Sequence, residues 1–198
     1  MRRLTAISAI AVLCAVAGCS SGDRSAPAPT TVASDDAVST SPAVPVPAKP
    51  APVDVAAVDT SNVEAVAESV ATASVTWDTT SHASEYAPLR EVAALMTPEL
   101  AAQYPEPAAD AHPYSTPEWA AARKVGAYNV PALFTGEDVH DKPIDTADTA
   151  YRVYEATWTW VDPKGSSIVD DRDRSIYLTL TRQPDGRWLV STLDYTEL

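Results

Sequence analysis

Residues 20–58 hold seven of the chain's 17 prolines but no aromatic residue, no leucine and no isoleucine, whereas all five tryptophans and all eight tyrosines lie beyond residue 59. A folded domain must bury enough apolar area to offset the entropy of ordering its chain. The segment 20–58 cannot do so and is expected to be a disordered tether. Its "SPAVPVPAKPAP" stretch favours extended polyproline conformations. Fully stretched, its roughly 39 residues at about 3.1 Å each would reach roughly 120 Å. The core must therefore form within residues 59–198, a length of 140 residues that suits one domain.

Both cysteines, Cys14 and Cys19, lie before this tether. The folded body accordingly has no internal disulfide, and packing alone must hold it. The opening "MRRLTAISAIAVLCAVAGC" starts with Arg2 and Arg3 and then runs apolar from Leu4 to Gly18, interrupted only by Thr5 and Ser8. A basic start, a short apolar core and small residues at its end mark a secretory signal peptide. The core is shorter than the about 20 residues a spanning helix needs. Val16, Ala17, Gly18 and Cys19 resemble the lipobox of bacterial lipoproteins. The resemblance implies removal of residues 1–18 and lipidation of the Cys19 sulfur. It also implies attachment to the extracytoplasmic face of the cell membrane through that lipid. Cys14 then serves as a small apolar filler of the discarded core. The expected organisation is signal 1–18, lipidated cysteine and tether 19–58, domain 59–198.

The first half of the domain has helical periodicity. In "DTSNVEAVAESVATASVTW", Val63, Val66, Ala67, Val70, Ser74 and Trp77 share one helical face, with Asp59, Thr60 or Ser61 as candidate caps. "PLREVAALM" fits a second short helix. "TPEL" at 97–100 and "TPEW" at 116–119 each place Thr as N-cap, Pro at the first helical position and Glu in the positive first turn. The second half changes to period 2, with strands expected over 127–138, 149–162, 174–182 and 187–195. Ile176, Leu178 and Leu180 alternate with Tyr177, Thr179 and Thr181, which assigns the aliphatic set to one face. "DPKG" and "QPDG" are turns suited to antiparallel hairpins. Helices followed by an antiparallel meander predict an α+β domain, with the helices on one side of the sheet.

A long first helix, the "LMTPELAAQY" segment and the ending "PDGRWLVSTLDY", with Gly186 before Trp188, Leu189 and Val190, resemble the nuclear-transport-factor-2-like superfamily. The resemblance implies a cone formed by a curved antiparallel sheet and helices, often enclosing a pocket. Within it the chain is most similar to two actinobacterial groups: proteins associated with Mce lipid-import systems, and assembly domains of conjugative type IV secretion machines. Both groups usually carry a transmembrane helix where this chain has its lipobox.

Six glycines, at 18, 22, 126, 136, 165 and 186, form neither a dinucleotide fingerprint nor a P-loop, and no G-x-S-x-G elbow occurs. His82, His112 and His140 share no metal-ligand spacing. In "GEDVHD", Glu137, Asp138, His140 and Asp141 match no ligand template, so neither a metal nor a cofactor is expected. "DDRDR" (170–174) reads as a solvated hairpin whose arginines neutralise their neighbours. Analogy with cone-shaped isomerases and dehydratases offers Asp78 and Glu155 as acid/base candidates, since such a group must be buried and within reach of substrate. Tyr154, Trp158 and Trp160 share one strand face, and Tyr128 and Phe134 share a face of the preceding strand. Together with Trp77 they either fill the core or line a small-molecule pocket.

From Asp59 onward, 23 acids oppose 10 Lys and Arg, a net charge of −13. Nucleic-acid binding depends on cations that neutralise phosphates and is disfavoured, and an anionic membrane surface repels such a body. The expected partner is a protein complex of the cell envelope, reached by a non-enzymatic binding domain. A carrier using the cone interior and a cone enzyme are the alternatives. A filled interior favours assembly, a wide apolar pocket the carrier, and convergent buried acid/base groups the enzyme.

Overall fold

The computed structural model describes residues 45–105, 116–136 and 143–197. The signal sequence, Cys19, His112 and the cluster at Glu137, Asp138, His140 and Asp141 lie outside the described residues. Helices α1 (Val63–Ala73), α2 (Ala87–Glu91), α3 (Pro98–Ala101) and α4 (Pro117–Val125) precede strands β1 (Tyr128–Thr135), β2 (Thr149–Val161), β3 (Ser167–Arg182) and β4 (Trp188–Glu197). The strands form one antiparallel sheet in sequence order. The fold is α+β, as the change of period along the sequence requires.

Helix α1 is capped by Asn62, whose Oδ1 accepts from the Glu64 and Ala65 amides at 3.0 and 3.4 Å. Asp59 and Ser61, expected as caps, instead bond each other just upstream, Ser61 donating from both its amide and its hydroxyl. The alanine- and valine-rich face Val66, Ala67, Val70 and Ala71 is fully buried against β3 and β4. The helix ends at Ala73, before Trp77. Ser74 and Thr76 turn their hydroxyls back onto the carbonyls of Ala71 and Thr72 at 2.7 Å, which satisfies groups that a helix end leaves orphaned. The chain then runs alongside β1, where Asn129, with no exposed surface, accepts from the Trp77 amide at 2.6 Å and donates to the Val75 carbonyl.

"PLREVAALM" divides into α2 and a 3-10 turn at Ala93–Leu95. The break lets Leu95 and Met96 turn into the core, and the Thr97 amide bonds the Val190 carbonyl at 2.9 Å. Thr97 and Thr116 cap α3 and α4 with Pro at the first helical position, as expected from the repeated "TPE". Helix α4 closes on Gly126, whose φ of 67° is a left-handed conformation that favours glycine.

Strand β3 starts seven residues before the expected 174, at Ser167. "DDRDR" is thus part of a strand and not a solvated hairpin. Alternation sends Arg172 and Arg174 to the face of Trp158 and Ala156, their register partners, while Asp173 pairs with Thr157 on the other face. The "DPKG" and "QPDG" segments make the two hairpin turns, with Gly165 donating to Asp162 and Gly186 to Gln183, each at 2.9 Å.

Residues before 59 also pack on the domain. Val53, Val55 and Val58 pack on the core, and Val46 lies against the Gly165 turn. The Tyr128 hydroxyl donates to the Pro47 carbonyl at 2.5 Å, and the Lys49 ammonium bonds Asp78 at 2.9 Å and lies over the Tyr128 ring. The valines spaced through this proline-rich stretch supply the apolar area that its composition appeared to lack.

Candidate functional site

Between the helices and the sheet, four tryptophans pack together. Trp77 stacks on Trp160 at 5.9 Å and meets Trp158 edge-on at 5.4 Å, while Trp119 approaches Trp160 edge-on at 6.0 Å. Trp77, Trp158 and Trp160 are each at least 94 % buried. They still form one wall of a cavity of about 200 Å³, completed by Glu85, Tyr86 and Leu89 around α2, Thr116 and Glu118 at the start of α4, Arg174 from β3 and Tyr195 from β4.

Each polar group here is placed by its element. Glu118 sits in the first turn of α4, where the positive helix end suits a carboxylate. Its Oε1 accepts from the indole N–H groups of Trp158 (3.1 Å) and Trp160, and its Oε2 lies 3.6 Å from Arg172 Nε. Thr116 caps α4 by accepting from the Trp119 amide at 3.1 Å while its hydroxyl donates to Glu85. Arg174 sits among three aromatic faces, its guanidinium carbon 5.0 Å from the Trp158 ring centre, 5.8 Å from Trp77 and 4.7 Å from Tyr195. Such cation–π contacts strengthen when desolvated.

Burial pushes the Glu85 carboxyl above its usual range, and the neighbouring Glu118 charge adds to that; the Thr116 hydrogen bond and Arg174 oppose it. Burial also raises the Tyr195 hydroxyl. The cavity therefore holds two carboxylates and a guanidinium against an aromatic wall, with hydrogen-bonding capacity directed into a small space.

Of the residues proposed from sequence, Trp77, Trp158 and Trp160 converge on this cavity. Tyr154 lies on the same sheet face but inside the core, where burial raises its hydroxyl to about 12. Tyr128 and Phe134 do not join it. The register pairs Trp160 with Asn129 and Trp158 with Pro131, so the odd-numbered residues of β1 share the tryptophan face. Tyr128 is buried beneath the Pro47 segment, and Phe134 is 56 % exposed.

Asp78 stands apart from the cavity. Burial acts to raise its pKa, but hydrogen bonds from Lys49 and Thr80 outweigh that and hold it below the usual range. Glu155 is exposed and lies opposite Ser175 and Phe134, across the sheet from the helices. His82 is engaged through Nδ1, which accepts from the Asp78 amide at 3.0 Å, and burial lowers its pKa. Among the described residues, no group of three His, Cys, Asp or Glu is arranged to hold a metal.

Glu85, Glu118 and Arg174 were missed. The "DDRDR" alternation was the available signal for Arg174, because period 2 inside a strand sends both arginines to one face. No local pattern marks Glu85, which lies just before α2 and accepts from Thr116, the cap of α4, 31 residues away. A larger and more open depression of about 410 Å³ is lined by Val130, Ala132, Thr157, Thr159 and Asp173 together with Trp158 and Arg172, and it holds one acid where the cavity holds two.

No family model, curated protein or solved structure matches this chain. Among the described residues, no helix is long and apolar enough to cross a membrane.

Proposed function

We propose that this chain is a lipid-anchored, extracytoplasmic binding domain that docks onto a protein assembly of the cell envelope, of the lipid-import or conjugative-secretion kind. Its helices and sheet belong to the cone-shaped nuclear-transport-factor-2-like class. The observation that carries the reading is the largely filled interior: Trp77, Trp119, Trp158 and Trp160 occupy most of the space between helices and sheet and leave a cavity of only about 200 Å³. A domain whose interior is packed offers its partners its surface, and that surface is strongly acidic. Of the two groups an isomerase-like activity would use, Asp78 pairs with Lys49 away from the cavity and Glu155 is exposed.

The anchor is Cys19, and the roughly 26 residues between it and the docked segment near Val46 would reach roughly 80 Å as a polyproline helix. That length lets the domain search for a fixed partner beyond the lipid surface. Labelled fatty acid supplied to producing cells tests the anchor. The wild-type chain should take up label and sediment with membranes, and Cys19→Ser should do neither, because serine offers no comparable sulfur nucleophile. Label retained by Cys19→Ser would exclude this anchor.

A further inference from the structure

The cavity carries a ligand class of its own, and its case is independent of the lipid anchor and of the envelope partner. The cavity measures about 200 Å³. This is smaller than the roughly 300–1,000 Å³ of sites for drug-sized ligands, so it would not enclose a sterol or a nucleotide. One six-membered ring with its substituents fits.

Charge narrows the choice further. Glu85 and Glu118 are matched by Arg174 within the cavity and by Arg172 at Glu118. A quaternary ammonium would seek these aromatic faces, but the Arg174 guanidinium already covers Trp77, Trp158 and Tyr195 and would repel it. An anion would meet two carboxylates. A neutral ligand faces neither penalty.

Hydrogen bonding then selects among neutral ligands. Ionised carboxylates only accept, each offering about four lone-pair sites. Glu85 receives the Thr116 hydroxyl at Oε1, and Glu118 receives the two indoles at Oε1 and faces Arg172 at Oε2, fewer partners than either carboxylate has lone-pair sites. Both carboxyl groups thus keep acceptor capacity for hydroxyl donors. The aromatic wall, with half-exposed Tyr86 at the mouth, supplies an apolar face. A ring with C–H groups on its faces and hydroxyls on its rim satisfies both demands. We propose that this cavity binds a single neutral sugar ring.

Intrinsic fluorescence of the full chain reads occupancy directly, because three of its five tryptophans line the site. The probes are the methyl glycosides of glucose, galactose and N-acetylglucosamine, with tetramethylammonium and acetate as charged controls. At least one glycoside should give saturable quenching in the millimolar range, and the controls should give none. Glu85→Gln and Tyr86→Ala should each weaken that binding roughly tenfold, with unchanged far-ultraviolet circular dichroism verifying the fold. A disaccharide presenting the preferred ring at its non-reducing end identifies the source: undiminished binding assigns a glycan terminus, and lost binding assigns a free monosaccharide. Absence of saturation by every glycoside, tighter binding of tetramethylammonium, or full affinity in both folded variants would overturn the proposal.

Discussion

Asn129 shows how one side chain can decide where a helix's successor goes. It is fully buried, and its amide serves two backbone groups from the segment after α1, the Trp77 N–H and the Val75 C=O. Asn129→Ala would leave both without their partner in a site that water does not reach. Each unsatisfied buried group costs about 1–3 kcal/mol, so the substitution should destabilise the domain by about 2–6 kcal/mol. Urea unfolding followed by tryptophan fluorescence measures this, and a loss below about 1 kcal/mol would show that the clamp is dispensable. Trp77 should also move, since its position in the cavity wall depends on this clamp.

At the scale of elements, the segment 45–58 acts as a strap laid over the β1 end of the sheet. Beside the Tyr128–Pro47 hydrogen bond, its charged fastening is the Lys49–Asp78 pair, with side chains 49 % and 16 % exposed. Such a partly exposed pair is worth about 0–1 kcal/mol, enough to bias a strap but not a core. Asp78 has a folded-state pKa below its unfolded value, so its contribution is present above the unfolded pKa and disappears as pH falls through the folded one. Glu85 has the opposite sign. Its raised pKa costs stability above the folded pKa, and that cost is absent below the unfolded one. Acidification should therefore release the strap while relieving Glu85. Limited proteolysis at pH 7 should cut within 45–58 several-fold faster in Asp78→Asn than in wild type, with an unfolding midpoint nearly unchanged. Equal cleavage rates would assign the strap's attachment to Val53, Val55 and Val58 and to the Tyr128–Pro47 hydrogen bond.

For the whole molecule, the decisive quantity is the net charge of −13. Docking of so acidic a body on an envelope protein calls for a basic patch on the partner. Fields between exposed charges decay over about 8–10 Å at ordinary ionic strength. Crosslinking in intact cells should capture one recurrent envelope protein, and raising salt in isolated membranes from low to high should reduce that product several-fold. A contact insensitive to salt would point to an apolar interface instead. The body should also unfold at the same urea midpoint with and without reductant, because its only cysteines lie at positions 14 and 19.

The sequence by itself determined the helix-then-strand order, the two "TPE" caps, both hairpin turns and the buried Ile176, Leu178 and Leu180 face. These depend on contacts within a few residues or on a period of two or 3.6, which a single chain displays locally. The tertiary structure alone decided the rest. Helix α1 stops short of Trp77 because Asn129, 52 residues away, claims that backbone. Phe134 points away from the tryptophans because the register between β1 and β2 puts odd-numbered residues opposite them. Proline-rich residues near 46–58 are ordered because a sheet end lies beneath them to receive their valines. The cavity draws Glu85, Glu118 and Arg174 from three separate stretches of chain, and pairings across such separations leave no mark in local periodicity.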